Sequence, residues 1–507
     1  AAAEADTDTL RFDDGRLDLD AIAGFEQPLA DAYASLVRAD ERLDDVRSPW
    51  LLDPLAGGAD DFADEVDDAL PVAELAAEGV RLAPGLLGAD GPRSYFIAFT
   101  QPAEARGLGG FVGNFGLLTA DDGQLDLARS GRIGELRNAT DPATRTISGP
   151  ADYLDRYARF HPEVALQDVT LSPDMPSVGQ VYEELYPQVG GDPVDGVIVV
   201  DPVALAGFLQ FTGPIQVDGL DEPLTADNAA DVLIREQYLQ FPEDENERIE
   251  VLDEASRRTF EALTTGDLPS PRQVGDVLGP VVDQGRLLMH AVDPDEQHLV
   301  ELAGLDGALP PVGDGDFLSL VSQNSGNNKI DMFLHRNVRY EVEYDPGTGA
   351  VDATATVVLR NDAPADGLPE IVLDNNGQGY PRGTNAMQLS WYTPLVLEGA
   401  TVDGEVLPVR AERERGRWVY TADLLIGPGR RQEVVLHLAG VVASGSTYRL
   451  GVAPQPLANA DRLAVVVRPA DGWHVAGTDG LERRGDRAVG DEQLVVDSTL
   501  SARFERR

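Results

Sequence analysis

A chain of 507 residues carries 88 Asp plus Glu against 40 Lys plus Arg, a formal net charge of −48. A surface of that sign repels nucleic-acid phosphates and anionic lipid, so no nucleic-acid partner is expected. The absence of cysteine rules out disulfides, thiolate nucleophiles and thiolate metal sites.

The length predicts two or three domains, and 42% hydrophobic residues suffice for packed cores. The acidity is spread along the chain and reads as a solvated surface of halophilic type. Lys329 is the only lysine. No D-x-D-x-D-G calcium loop is present. No run of about 18 apolar residues occurs, and Ala1 to Thr9 lacks the basic and apolar regions of a signal peptide. Any membrane anchor is therefore expected upstream of this chain.

Residues 1–83 read as a helical lead-in. Leu19, Ile22, Phe25, Leu29, Tyr33 and Leu36 fall at near-helical spacing, and Asp60 to Leu75 is similar. Residues 84–334 read as an α/β domain. Tyr95 to Phe99 and Phe111 to Thr119 are strands, and Asp122-Gly123 signals a hairpin. One helix follows Ser148 and Pro150, with Tyr153, Tyr157 and Phe160 on one face; a second opens with a capping box from Ser177 to Gln180. Val197 to Val200 has the continuous apolar character of a central strand, and Asp201-Pro202 starts a helix. Further helices are predicted over 225–241, 245–264, 271–290 and 294–303. Strand and helix in alternation argue for a sheet packed by helices.

From His335 the period changes to two. Val338, Tyr340, Val342 and Tyr344 alternate with polar residues, and 353–359 pairs with them across 345–349. Further strands read at 395–402, 418–422, 433–438, 463–467 and 494–496. Residues 335–507 are therefore expected to be an all-β sandwich region of one or two small domains.

Four segments resemble the bacterial, mainly actinobacterial, family called domain of unknown function 4012: Pro102 to Gly113, Leu171 to Pro176, Val194 to Leu205 and Asn324 to Asp331. That resemblance implies an envelope protein at the extracellular face, anchored by an N-terminal membrane helix. A more distant likeness is to the LytR–CpsA–Psr enzymes, which transfer glycopolymers from a polyprenyl pyrophosphate carrier to the wall. It rests on the strand, Arg-Gly loop, strand and Asp-Gly turn, then the strand-helix unit from Asp195 to Val217. It implies an arginine on the pyrophosphate and carboxylates on Mg²⁺. Arg106 falls at the arginine's place, with Asp168 or Asp174 for catalysis and Mg²⁺. The carboxylate that those enzymes carry straight after the first strand is missing, since this chain has Thr100-Gln101-Pro102.

Each candidate has a plainer reading. The glycines around Arg106 also permit a tight turn and close strand packing, with Arg106 paired to an acid. Glu104, Arg156, Arg159 and Lys329 are candidate substrate contacts. Yet Asp152 to Arg156 and Asp155 to Arg159 have the i,i+4 spacing of surface pairs, and Lys329 can pair with Asp331 or a carbonyl. Asp201 reads first as a helix cap with proline behind it. Neither H-E-x-x-H nor G-x-S-x-G occurs. The expectation is an envelope protein with a LytR–CpsA–Psr-like α/β domain handling a pyrophosphate-linked glycopolymer. The alternatives are a non-catalytic surface, adhesion or assembly module, and a wall-polysaccharide binder.

Overall fold

The computed structural model describes residues 12–13, 15–46, 53–240, 245–265 and 270–507; the opening Ala1 to Thr9 lies outside them. A seven-stranded mixed sheet forms the first half. Its strands are β1 (Phe12–Asp13), β2 (Arg16–Leu17), β3 (Arg93–Arg106), β4 (Gly109–Asp121), β5 (Gln124–Arg132), β6 (Gly196–Val200) and β7 (Leu287–Ala291), in the order β1-β2-β5-β4-β3-β6-β7. The predicted central strand β6 lies between β3, to which it is parallel, and β7, to which it is antiparallel. Asp122 and Gly123, both at positive φ, make the tight β4–β5 turn.

Side chains of β3 and β6 alternate between two helical layers. Phe96, Ala98, Val197 and Val199 pack against Tyr153, Tyr157, Val178, Val181 and Tyr182. Those residues belong to the helices Ala151–Tyr157 and Met175–Leu185. On the opposite face Ile97 and Val200 meet Ala204 and Val281, from Pro202–Thr212 and Pro271–Asp283. Both faces are thus covered, which is why β6 is apolar throughout.

Several boundaries differ from the sequence reading. The lead-in is stitched to the sheet edge, since β2 pairs with β5 through Arg16 and Gln124. One of its helices runs the whole of Asp53–Leu86. The helix expected over 271–290 stops at Asp283; Gly285, at φ +66, turns the chain into strand β7. The capping box at Ser177 is displaced: Asp174 is the N-cap of Met175–Leu185, accepting from Ser177 N–H.

The β region begins earlier than 335. Its strands are β8 (Asp316–Asn324), β9 (Leu334–Tyr344), β10 (Ala350–Asn361), β11 (Asn385–Thr393), β12 (Val396–Val402), β13 (Glu405–Val406), β14 (Arg410–Glu414) and β15 (Arg417–Ile426). They continue as β16 (Arg431–Val441), β17 (Thr447–Ala453), β18 (Asp461–Pro469), β19 (Trp473–Asp479), β20 (Glu482–Arg484), β21 (Arg487–Leu494) and β22 (Ser498–Arg506). One sheet runs β13-β12-β16-β10-β9-β18-β21-β20 and the other β14-β15-β11-β8-β17-β22-β19. A single hydrophobic cluster, including Trp391, Tyr340, Leu436 and Phe504, draws on both sheets. This is one large sandwich rather than two small β-domains.

Ionisable groups also lie deep inside it. Arg336 on β9 is 2% exposed. It makes a bidentate pair with Asp461, 2.7 and 2.6 Å, and also reaches Ser322, Gln455 and the Leu320 carbonyl. Among the described residues, Asp316 on β8 has only neutral donors: Tyr340 at 2.7 Å, Tyr448 at 2.6 Å and Phe317 N–H at 2.7 Å. Burial pushes its carboxyl up to about 6, although these hydrogen bonds oppose the shift.

The folded chain therefore holds the Asp316 proton more tightly than the unfolded chain. Its stabilising contribution is complete below the unfolded pKa near 3.8 and is lost as pH rises towards 6. Asp316→Asn should remove that dependence. Urea unfolding of both proteins should show the wild type losing about 2 kcal/mol relative to the variant between pH 4 and pH 7. A difference that stays flat with pH would contradict the assignment.

Candidate functional site

The Arg-Gly turn between β3 and β4 sits against the sandwich. Pairing between β3 and β4 jumps from Gln101–Phe111 to Ala105–Gly110, so Pro102 to Glu104 bulge out of register. The glycines there serve close packing. A Cβ at Gly107 would lie 2.2 Å from the Leu171 carbonyl oxygen, and one at Gly110 would lie 2.3 Å from Gln101 backbone.

Arg106 is 3% exposed. Its Nε donates to Asp168 at 2.8 Å, Nη1 to the carbonyls of Ala105 and Asn324, and Nη2 to Glu104 at 3.1 Å. Lys329 Nζ contacts the other Glu104 oxygen and lies 4.9 Å from the Phe111 ring centroid. Burial favours the protonated form of Glu104, but Lys329 and Arg106 outweigh it and hold the carboxyl below its ordinary range. Asp331 accepts from Ala105 N–H, Asn324 and Asn385; burial pushes its carboxyl up. Gln455 closes the joint, donating to the Arg106 and Ser322 carbonyls.

The structure thus brings Glu104, Arg106, Asp168 and Lys329 together, and places Asp174, Arg156 and Arg159 elsewhere. Lys329 pairs with Glu104, not with Asp331. Asp174 is fully buried and is engaged by Ser177, Leu309 N–H at 3.0 Å and Arg415 at 3.5 Å. Asp201 caps its helix, accepting from Val203 and Ala204 N–H, and also pairs with Arg286 at 2.8 Å. The arginines of Ala151–Tyr157 and the turn after it do not form i,i+4 surface pairs. Arg156 donates to Glu414 at 2.6 Å and Tyr392 at 2.8 Å, while Arg159 reaches Glu412. Tyr157 and Ser172 also bond Glu414. This is a second buried joint between the two halves.

The residues do not fit the expected Mg²⁺. Asp168 is held by Arg106 and Asp174 by its cap, and among the described residues no three His, Asp or Glu side chains converge as metal ligands.

A cleft of about 460 Å³ lies at the junction. It is bounded by Gly107, Leu108, Leu288, Leu309, Val321 and Val496 and carries the carboxylates of Asp283, Asp306 and Asp497. Among the described residues, no arginine, lysine, histidine or aromatic residue lines it. Enclosure, then the neighbouring Asp306 charge, pushes Asp497 up to about 6 although the residue stays accessible to solvent. These acids, with Gln455 and Glu414, were missed in the sequence because nothing local marks them.

The class so defined is an α/β domain locked to a large β-sandwich by buried ion pairs. Residues 90–238 match the family model described as "Protein of unknown function (DUF4012)". No curated protein matches. Among solved structures the chain is similar to a Legionella pneumophila protein described provisionally as nutrient binding. The TM-score is 0.26 at 9% identity, over 37% of this chain and 71% of that one. It is also similar to native leukotriene A4 hydrolase from Saccharomyces cerevisiae, with TM-score 0.22, 8% identity, and 34% and 28% of the two chains. An M1 zinc metallopeptidase from Deinococcus radiodurans gives 0.19 at 10% identity, over 34% and 42%. The chain spans less than half the length of the latter two.

Arg106→Ala would leave Asp168 short of its buried cation, and Glu104 with Lys329 alone. The loss expected in urea unfolding is about 3–5 kcal/mol, the range for breaking a buried ion pair from one side. A loss below about 1 kcal/mol, the scale of an exposed pair, would show that the arginine is not structural.

Proposed function

We propose that this chain is a non-catalytic surface or assembly module of a bacterial cell envelope. In this reading its α/β domain is LytR–CpsA–Psr-like in topology, and the pyrophosphate arginine has been drawn into the joint with the sandwich. The carrying observation is Arg106. All three of its guanidinium nitrogens are engaged by Glu104, Asp168 and backbone carbonyls. A bound pyrophosphate would have to displace two carboxylates inside a nearly closed site.

Two further points support the reading. The cleft beside the turn is acidic, so it repels the phosphates that a glycopolymer carrier would bring. It also offers no aromatic platform for sugar rings. The sandwich, by contrast, ends at the two-residue edge strand β13, where Val406 is 84% exposed. No described helix is long and apolar enough to cross a membrane.

The test is a titration with a polyprenyl pyrophosphate analogue, with and without Mg²⁺. The expected result is no saturable binding by the wild type. Tight Mg²⁺-dependent binding, weakened in a folded Asp168→Asn variant, would overturn the proposal in favour of a glycopolymer transferase.

A further inference from the structure

Of the 40 Lys plus Arg residues, Lys329 is the one lysine. Charge does not account for it, since arginine carries the same charge and donates more hydrogen bonds. What an amine has, and a guanidinium lacks, is a lone pair that becomes available on losing a proton, and therefore nucleophilicity.

The surroundings suit that chemistry. Nζ contacts Glu104 Oε2, with the side chains only 11% and 4% exposed. The rings of Phe111 and Tyr238 have centroids 4.9 and 6.0 Å from Nζ. On the far side Arg106 Nη2 donates to Glu104 Oε1 at 3.1 Å. Amine, carboxyl and an oxyanion-stabilising cation are thus assembled in a nearly dry site.

We propose that Lys329 and Glu104 condense to an intramolecular amide, a covalent staple between β3 and the loop following β8. Nζ passes a proton to Oε2 and attacks Cδ. Negative charge building on Oε1 faces the Arg106 guanidinium. Oε2 then leaves as water, carrying two of the three protons of the original ammonium. One C–N bond forms and one C–O bond breaks. Ammonium plus carboxylate gives amide plus water, with no oxidant, reductant or outside reactant.

The groups lie 225 residues apart and meet only in the folded chain, so the bond forms after folding; the two cations favour the carboxylate and so make the step slow. Condensation removes two buried charges and leaves Arg106 to Asp168. Burial excludes the water that would reverse it. The staple joins positions 225 residues apart in a chain that has no cysteine for a disulfide.

The test is the intact mass of the full chain, purified folded, stored, and then denatured. The expected mass is lower than that of the sequence by one water, and tandem fragmentation should find the peptide of Glu104 joined to that of Lys329. Lys329→Arg and Glu104→Ala should each restore the full sequence mass. A wild type at full mass after prolonged storage overturns the proposal, and so does a water loss that maps to any other residues. The wild-type measurement decides even where a variant does not fold.

Discussion

Charge brought out of water must meet opposite charge or well-placed dipoles, and this constraint governs the contact between the two halves. Glu104 and Arg106 lie at the end of β3, yet much of what satisfies them comes from the sandwich: Lys329, the Asn324 carbonyl and Gln455. Arg156, Tyr157 and Ser172 likewise depend on Glu414 and Tyr392. Partial separation would leave ions buried without partners, which is far costlier than losing an exposed pair. The two halves therefore hold each other in one arrangement, and β8 with its following loop belongs to both.

Inside the sandwich the same constraint is met in two ways. Arg336 has a full set of acceptors, including both oxygens of Asp461. Asp316 has donors but no cation, so its proton affinity rises instead. Arg336 joins β9 and β18 to Gln455 and hence to the Arg106 carbonyl. Through it, a polar network that starts at the domain joint enters the core without leaving a strong charge uncompensated.

What the sequence disclosed follows from where each element sits. Strands with one wet face, such as β9 and β10, alternate and were readable. So were β6, flanked by turn residues, and the Asp122-Gly123 hairpin. β8 is buried at every position and β11 at nearly every one. Neither alternates, so both escaped and the sandwich boundary was set too late. The glycine turn announced Arg106 as unusual, but Asp168 is 62 residues away and Gln455 is 349 from Arg106. No local pattern encodes pairings of that range. Asp174 looked like a candidate ligand because a helix cap and a metal-binding acid use the same side chain, and only its partners separate them.

The abundance of acid gives the turn its character. In a chain of net charge −48, an arginine beside glycine has many carboxylates competing for it before any outside anion arrives. The bulge at Pro102 to Glu104 supplies one such carboxylate, and Asp168 supplies another. Gly107 and Leu108, on the same turn, help to line a cleft whose titratable groups are all acidic. The positive charge faces inward and is neutralised, while the negative charge faces the solvent. A pyrophosphate site needs the opposite polarity, with donors unpaired and directed at the ligand. The glycines that permit the turn also permit the tight packing that buries it.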